Sequence, residues 1–230
     1  MNDESNHDQS GEEQAKLSPL SAAARRVLGV LVEKAKTTPD NYPLSLAALV
    51  TGCNQKSNRA PKMDLDENDA LLALDELREL GAVREIQGSG RVTKYRHAAY
   101  DWLELDSPQA AVITELLLRG PQTAGEIRTR ASRMSPLADM SAAQEVINQL
   151  IEKGLVEPLT PPGRGQTFAH TLYPPEERQY LGAKIEKQAA AAPSPQVKES
   201  KQVIDKLVER LDAVNERIDA LEQRLKDLES

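Results

Sequence analysis

The chain has 230 residues, of which 28% are charged and 39% apolar, a balance typical of a water-soluble globular protein. Aromatic residues make up only 3%, which argues against single-strand nucleic-acid binding on a base-stacking surface. No apolar stretch approaches the roughly 18 residues of a membrane span, and residues 1–16 lack the features of a secretory signal. The single cysteine, Cys53, excludes an internal disulfide. Together these features predict a cytoplasmic protein.

The net charge of -7 is unevenly distributed along the chain. Residues 1–16 carry a net charge of -4 and are predicted to form a disordered acidic tail. Residues 17–100 carry +2, whereas residues 101–181 carry -4. The acidic total therefore does not exclude nucleic-acid binding by the first half. It does argue against the broad basic footprint of a strong non-specific DNA binder.

The first half of the chain predicts three helices followed by a β-hairpin. A first helix opens at Ser18-Pro19 and ends at Thr37-Thr38-Pro39. Ser45 caps a short second helix, and a third helix runs from about Asp66 to Leu80. Alternating apolar residues on either side of a glycine-rich turn indicate a hairpin over 82–97. This order of elements is typical of a winged helix, a helix-turn-helix variant.

The same order recurs in the second half at a fixed offset of 73 residues. Residues of the same character coincide without a gap from the third helix through the hairpin: Leu77 with Leu150, Gly81 with Gly154, Tyr95 with Phe168, His97 with His170. Upstream, Ser45 aligns with Thr123 at an offset of 78, so the first unit has about five extra residues between its second and third helices. Such a tandem repeat indicates a duplicated unit. The predicted fold class is mainly α with small β-hairpins (α+β), as two tandem winged-helix domains at 17–100 and 101–181.

The C-terminal part is predicted to be a flexible linker followed by a coiled coil. Residues 182–200 are rich in alanine and contain Pro193-Ser194-Pro195. Within 201–230, apolar residues alternate at spacings of three and four, as in a coiled-coil seam. The predicted dimerisation residues are Ile204, Leu207, Leu211, Val214, Ile218, Leu221, Leu225 and Leu228. We expect a homodimer; the alternative is a single amphipathic helix that folds back on its own domains.

Two stretches of the first domain contain basic residues but no acidic ones. One is the segment 42–63 and the other is the second strand of the hairpin, 91–97. Lysine and arginine there can neutralise phosphates, and asparagine and glutamine can bond phosphates or base edges. The predicted nucleic-acid contacts are Asn54, Gln55, Lys56, Asn58, Arg59, Lys62, Arg91, Lys94 and Arg96.

The third helix argues against an ordinary DNA-binding mode. In a winged helix this element usually enters the major groove with its N-terminal residues. Here that end carries four carboxylates, which repel phosphates: Asp64, Asp66, Glu67 and Asp69. The basic stretches are therefore alternatively a solvated face or a dock for an acidic protein partner. Four arginines around the second helix of the second domain are expected to pair internally: Arg119, Arg128, Arg130 and Arg133.

No arrangement of residues predicts catalysis. His97 and His170 occupy equivalent strand positions, which indicates a repeated structural role. Cys53 is expected to be a small core residue at a helix end. The glycines match no phosphate-binding loop or dinucleotide fingerprint, and no Cys/His spacing suits zinc. We therefore expect a non-enzymatic protein without a metal or cofactor.

Several longer motifs carry a resemblance to a known family. They are Thr37-Thr38-Pro39, Tyr42-Pro43-Leu44-Ser45, Cys53-Asn54-Gln55-Lys56 with Asn58-Arg59, Val92-Thr93-Lys94-Tyr95, and Arg119-Gly120-Pro121-Gln122-Thr123. Over about residues 17–173 the chain resembles the YceH family of bacterial proteins. The resemblance implies a tandem winged-helix fold and no established activity. The chain departs from it at Thr167, where an arginine is common in the family, so its second hairpin is less basic.

The sequence thus predicts a non-enzymatic, cytoplasmic, homodimeric protein that is DNA-associated or regulatory and contacts double-stranded DNA through its first domain. The alternative is a protein-interaction scaffold whose tandem winged helices bind a protein partner without DNA. The acidic third helices favour this alternative. Tandem acidic winged helices also resemble the partner subunit of bacterial chromosome-condensation complexes, a likeness of fold only.

Overall fold

The computed structural model of the chain describes residues 18–87, 92–163 and 165–190. The chain divides into one compact unit that ends at Ala183 and a second that begins at Lys184. The described residues up to Ala183 belong to the first unit. The acidic tail, Arg91 and the heptads predicted for 201–230 lie outside the described residues.

The first module combines three helices with a three-stranded antiparallel sheet. The elements are α1 (Ala22–Thr37), a 3₁₀ turn (Pro39–Asn41), β1 (Leu44–Ser45), α2 (Leu46–Cys53), α3 (Glu67–Glu79), β2 (Val83–Ile86), β3 (Lys94–His97) and the single turn α4 (Ala99–Trp102). The strand order is β1-β3-β2. Leu44 lies opposite Tyr95, and Val83 lies opposite His97. The hairpin therefore gains a third, very short strand from the segment before α2.

The second module repeats this arrangement. Its elements are α5 (Ser107–Arg119), β4 (Gln122–Thr123), α6 (Ala124–Ala131), α7 (Met140–Glu152), β5 (Val156–Pro158) and β6 (Thr167–His170), followed by α8 (Pro175–Ala190). The strand order is β4-β6-β5, and Gln122 lies opposite Phe168 as Leu44 lies opposite Tyr95. The predicted α+β class with small antiparallel hairpins is confirmed.

The structure also shows the internal duplication at the level of the backbone. Gly81 and Gly154, 73 residues apart, both follow the third helix of their module in a left-handed conformation, with φ of +74° and +71°. The connection between the second and third helices spans residues 54–66 in the first module and 132–139 in the second. The first connection is thus longer by the five residues that the change of offset predicts.

The start of α1 differs from the prediction. The helix is capped by Ser21, whose Oγ accepts a hydrogen bond from the backbone N–H of Ala24, and not by Ser18. Leu20, the residue before this cap, explains why the helix starts later than predicted. Its N–H donates to the carbonyl oxygen of Leu172 at 3.0 Å, which holds the segment in a non-helical conformation. The segment before α1 is therefore held by the second module, an interaction for which the local sequence has no signal.

Helix α8 was not predicted, and it occupies part of the predicted linker. It continues through residues 182–190, so the flexible linker cannot begin at residue 182. Its first turn is fixed by tertiary ion pairs: Glu177 accepts two hydrogen bonds from Arg25 Nη2, at 2.6 and 2.7 Å. Because the partner in this pair lies 152 residues earlier, the pattern of apolar residues alone did not reveal the helix.

The two modules do not form separate cores. The buried side chains of α1 and α5 belong to one hydrophobic cluster, which includes Val27 and Leu31 of α1 and Val112 and Leu116 of α5. The two modules are thus parts of a single compact unit. The boundary near residue 100 separates two repeats, but the repeats share one core.

Helices α1 and α5 come close together at Gly29. A Cβ atom at this position would lie 2.9 Å from Leu118 Cδ2, 3.0 Å from Leu118 Cγ and 3.3 Å from Leu117 Cβ. Real Cβ atoms essentially never come as close as 2.9 Å to a neighbour, so a larger residue here requires the Leu118 side chain, or the helix that carries it, to shift. Glycine at this position therefore allows α1 and α5 to pack directly against each other.

We predict that Gly29→Ala destabilises the protein. Overpacking costs about 1–3 kcal/mol, which exceeds the roughly 1 kcal/mol that alanine gains over glycine in a helix. Gly125→Ala is the matched control, because a Cβ there meets nothing within 4 Å; it should leave stability unchanged or raise it by up to about 1 kcal/mol. Urea unfolding at neutral pH measures both, and a stabilised Gly29→Ala variant would contradict the proposed close packing.

Candidate functional site

Two of the predicted base-contacting amides instead hold the connection between α2 and α3 together. Asn54 donates through Nδ2 to the carbonyl oxygen of Leu65 at 2.7 Å and accepts from the N–H of Leu65 at 2.9 Å. Gln55 accepts through Oε1 from Arg59 Nη2 at 3.1 Å. Asn54 uses both ends of its amide, and Gln55 uses its oxygen, within the protein.

The third predicted amide belongs to a contact between the modules. Asn58, in a left-handed conformation with φ of 60°, accepts through Oδ1 from Arg119 Nη2 at the end of α5. Next to it, the N–H of Ala60 donates to the carbonyl oxygen of Leu118 at 2.9 Å. The connection 54–66 is therefore docked against the second module.

The structure buries Arg59, one of the predicted nucleic-acid contacts. Its side chain is 0% exposed and lies against Glu33 of α1, with Nη2 2.5 Å from Oε2 and Nη1 3.1 Å from Oε1. Its Nε donates to the carbonyl oxygen of Gly52 at 3.1 Å. The Arg59 guanidinium is buried and paired with Glu33, so it cannot reach a phosphate unless this ion pair is broken.

A second buried carboxylate extends this pair into a charge cluster, which comprises Glu33, Arg59, Glu115, Arg119 and Arg133. Arg133 Nη2 lies 2.6 Å from Glu33 Oε1 and 3.3 Å from Glu115 Oε2. Arg119 Nε lies 2.8 Å from Glu115 Oε1, but the two atoms are not aligned for a hydrogen bond, so this contact is an ion pair only. Arg133 thus joins the carboxylates of both modules.

The remaining arginines around α6 are also engaged within the protein, as expected from the sequence. Arg130 lies 3.2 Å from Glu126 and donates to Gln122 Oε1 at 2.5 Å. Arg128 donates to the carbonyl oxygen of Ala138 at 3.4 Å. All four arginines that the sequence grouped around this helix, Arg119, Arg128, Arg130 and Arg133, are thus engaged within the protein.

The arginines determine the ionisation of Glu33. Burial alone would raise the pKa of this carboxyl group, but the hydrogen bonds and charge of Arg59, together with Arg133, outweigh burial, and the pKa lies below its ordinary value of 4.5. A carboxyl group with a lowered pKa in the folded state stabilises the fold above its unfolded-state pKa. That contribution is lost as the pH falls through the folded-state value.

We predict that Glu33→Gln destabilises the protein by about 3 kcal/mol or more at pH 7, because it leaves Arg59 and Arg133 buried against a neutral group. The difference from the wild type should shrink as the pH falls through the unfolded-state pKa of about 4.5 towards the lower folded-state value, because the carboxyl group of the unfolded chain takes up its proton first. Urea titrations from pH 7 to pH 4 measure both effects. Glu79→Gln, at an exposed carboxylate of α3, is the control. A difference that does not change with pH would refute this account of the cluster.

His97 and His170 have the same structural role in their modules. Nδ1 of His97 accepts from the N–H of Ala99 at 3.3 Å, and Nδ1 of His170 accepts from the N–H of Leu172 at 3.2 Å. Burial, then the charge of Arg96, lowers the pKa of His97 to about 4. Burial also lowers the pKa of His170 well below its ordinary value. Both imidazoles are neutral at pH 7 and accept hydrogen bonds that hold a turn.

Cys53 lies in the core at the end of α2, as predicted, and burial raises the pKa of its thiol to about 12. A thiol with this pKa is not a nucleophile near neutral pH. Within the described residues, no group of three or more histidine, cysteine, aspartate or glutamate side chains is placed to hold a metal ion. In the same part of the chain, no helix is long and apolar enough to cross a membrane.

The first sheet presents a cluster of cations to solvent. Tyr95 and Val83 point into the core, so the alternation of β-strands places Arg84, Lys94 and Arg96 on the opposite side. Arg84 and Arg96 are directly paired across the two strands, and all three side chains are exposed. We call these three residues the basic sheet face. Sequence reasoning found Lys94 and Arg96 but missed Arg84, which only the strand register places beside them.

Asp101 is an acidic residue close to the basic sheet face. Arg84 Nη2 lies 3.7 Å from Asp101 Oδ2, and both side chains are largely exposed, so the pair is weak. Two further predicted contacts, Lys56 and Lys62, are exposed in the connection 54–66. Among the described residues, four of the nine predicted contacts are thus exposed cations: Lys56, Lys62, Lys94 and Arg96.

The second sheet differs at the equivalent positions. At an offset of 73 residues, Arg84, Lys94 and Arg96 correspond to Glu157, Thr167 and Ala169. Glu157 accepts a hydrogen bond from Arg178 Nε of α8 at 2.5 Å, and Ala169 is 1% exposed. Within the residues that the structure describes, the basic sheet face therefore has no counterpart on the second sheet.

The outward side of α3 has a different character. Leu72 is 62% exposed and Leu71 39% exposed, and the neighbouring Glu67 and Asp75 are exposed as well. Asp69 is used in a reciprocal cap with Asp66 at the helix start. This surface, the α3 face, is acidic and apolar, which is unsuited to the major groove of DNA.

The fold and these surfaces define a two-module α+β protein whose duplicated halves share one core and carry different surfaces. Residues 20–164 match the family described as "Protein of unknown function, DUF480", and the chain belongs to this family. The expected likeness to a family of uncharacterised bacterial proteins is confirmed at this level.

Curated relatives agree with this assignment. The chain is 70% identical over 188 residues to UPF0502 protein RB6530 of Rhodopirellula baltica, a match that covers 82% of this chain and 79% of that protein. It is 54% identical over 135 residues to a UPF0502 protein of Geotalea uraniireducens, covering 59% and 62% of the two chains. A third relative, UPF0502 protein GSU0233 of Geobacter sulfurreducens, is 47% identical over 153 residues, covering 64% and 69%.

Proposed function

We propose that each module is a winged helix, that the family is the YceH family which the motifs resemble, and that the protein is a non-enzymatic, cytoplasmic, DNA-associated regulatory protein. The order of helix, short strand, two helices and hairpin in both modules supports the winged-helix assignment. DNA is contacted through the first module. The contact surface is the basic sheet face, with Lys56 and Lys62 as further cations.

One observation carries this proposal: the duplicated positions on the two sheets differ in charge. The first sheet has two arginines and a lysine where the second has a glutamate, a threonine and an alanine. The two sheets have the same strand order, so the fold itself does not require cations there. Exposed lysine and arginine on a hairpin can neutralise phosphates and release counterions.

We predict that Arg84→Gln, Lys94→Gln and Arg96→Gln together abolish most duplex binding. The loss of three phosphate contacts should reduce the slope of log affinity against log salt by about 2.7 in magnitude. Fluorescence anisotropy with a labelled mixed-sequence duplex over a salt series measures affinity and slope.

A control variant with the same change of net charge carries the substitutions elsewhere: Arg128→Gln, Lys153→Gln and Lys184→Gln. It should bind with nearly wild-type affinity. Absence of salt-dependent binding by the wild type at low salt would refute the DNA proposal and would leave the α3 face as the stronger candidate surface.

We further propose that the protein is a homodimer held by the heptads of 204–228, which lie outside the described residues. Leu211→Asp with Leu221→Asp places charges in the seam and should convert the dimer into a monomer. Ala213→Asp with Gln223→Asp, at outward heptad positions, should leave the dimer intact. Size-exclusion chromatography with light scattering reports the mass. A monomeric wild type would instead support the helix that folds back on its own domains.

A protein-interaction scaffold is the second candidate function, and the α3 face favours it. Two exposed leucines beside carboxylates form an apolar patch with an acidic rim, which is a surface that suits a protein partner better than DNA. This candidate requires Leu71 and Leu72, whereas the DNA proposal requires the basic sheet face. Substitutions at the two surfaces therefore separate the two functions.

A further inference from the structure

The amide groups that could distinguish one base pair from another are largely engaged within the protein. Discrimination requires amide, carboxylate or guanidinium groups that bond base edges. Asn54 uses its whole side chain on Leu65, and Asn58 accepts from Arg119 of the second module. The carbonyl oxygen of Gln55 is bound by the buried Arg59. The side-chain oxygens of Asn54, Gln55 and Asn58 therefore accept hydrogen bonds within the protein.

Helix α3 does not supply base-reading groups in place of these amides. Its capping carboxylates Asp66 and Asp69 bind each other's backbone N–H groups, and its outward side bears leucines and acidic residues. A helix of this composition gains nothing from the phosphate-lined major groove. Base readout through the third helix, the usual mode of a winged helix, is thus unsupported by the residues present.

The basic sheet face itself has cations and no base-stacking groups. The outward strand residues are Arg84, Ile86, Lys94 and Arg96, and the nearby aromatic ring of Tyr95 is turned into the core. Single-strand binding without sequence preference depends on exposed aromatic rings. A flat array of charges without rings instead suits the regularly spaced phosphates of a double helix.

We infer that the first module binds the phosphate backbone of duplex DNA without preference for base sequence. The inference rests on the proposed DNA contact and specifies its ligand. The affinity is modest and strongly salt-dependent, because the contact surface consists of the three cations of the sheet face, with Lys56 and Lys62. Counterion release from three to five phosphates predicts a slope of log affinity against log salt of about -2.7 to -4.5.

The test uses the full chain and four labelled probes of equal length: an AT-rich duplex, a GC-rich duplex, a mixed duplex and a single strand. We expect the three duplexes to bind within about threefold of one another, more tightly than the single strand. Loss of one specific base contact typically changes affinity by about tenfold or more. A tenfold preference for one duplex, or tighter binding of the single strand, would therefore overturn the inference while leaving DNA binding established.

A charge-preserving variant provides a second, independent readout. Arg84→Lys with Arg96→Lys retains the point charges that phosphates require but removes the forked guanidinium that reads guanine. We expect binding to every duplex within about threefold of the wild type. A loss of tenfold or more confined to the GC-rich duplex would show base readout and refute the inference. If no probe binds at low salt, the proposed function itself fails. This outcome is distinct both from equal binding of the duplexes and from a preference for one probe.

Discussion

Two carboxylates buried between the modules, Glu33 on α1 and Glu115 on α5, are the constraint on which the rest of the structure depends. Burying an ionised carboxylate is strongly unfavourable unless cations and hydrogen bonds surround it. Arg59 and Arg133 meet this requirement from opposite modules. The connection before α3 is thereby drawn against α5, and the close approach at Gly29 lets the two helices pack directly. The cluster thus joins two repeats into one body.

This internal use of polar residues determines which surfaces remain for function. Residues that would otherwise face a ligand are bound to the protein, among them Arg59 and Asn54. The lysines of the same segment stay exposed, and the strand register gathers Arg84, Lys94 and Arg96 on one side of the first sheet. Duplication supplied the same backbone twice, but the second sheet lacks the cations and the first keeps them. The proposed function accordingly divides the roles between the repeats, with the first module as contact surface and the second as support.

The elements that could be predicted are those with strong local signals. The capped start and glycine end of α3, the glycine-rich hairpin and the 73-residue offset depend on residues close in sequence or on a repeated pattern, so they were evident without a structure. The start of α1 and the whole of α8 depend on distant partners, Leu172 and Arg25 respectively. Local propensity cannot include such partners, and this is why both elements were misplaced or missed.

The features of the candidate site also separate into those that the sequence predicted and those that only the tertiary structure placed. The sequence alone determined the element types, the duplication and the presence of basic stretches without acids, because composition and periodicity are local properties of the chain. Only the tertiary structure decided which of those cations face solvent. A charge in a linear segment is equally compatible with burial against a carboxylate or exposure to a ligand, and the outcome depends on where the rest of the chain places its carboxylates. Arg59 was buried by Glu33, 26 residues earlier, whereas Arg84 gained its place beside Arg96 from the pairing of two strands.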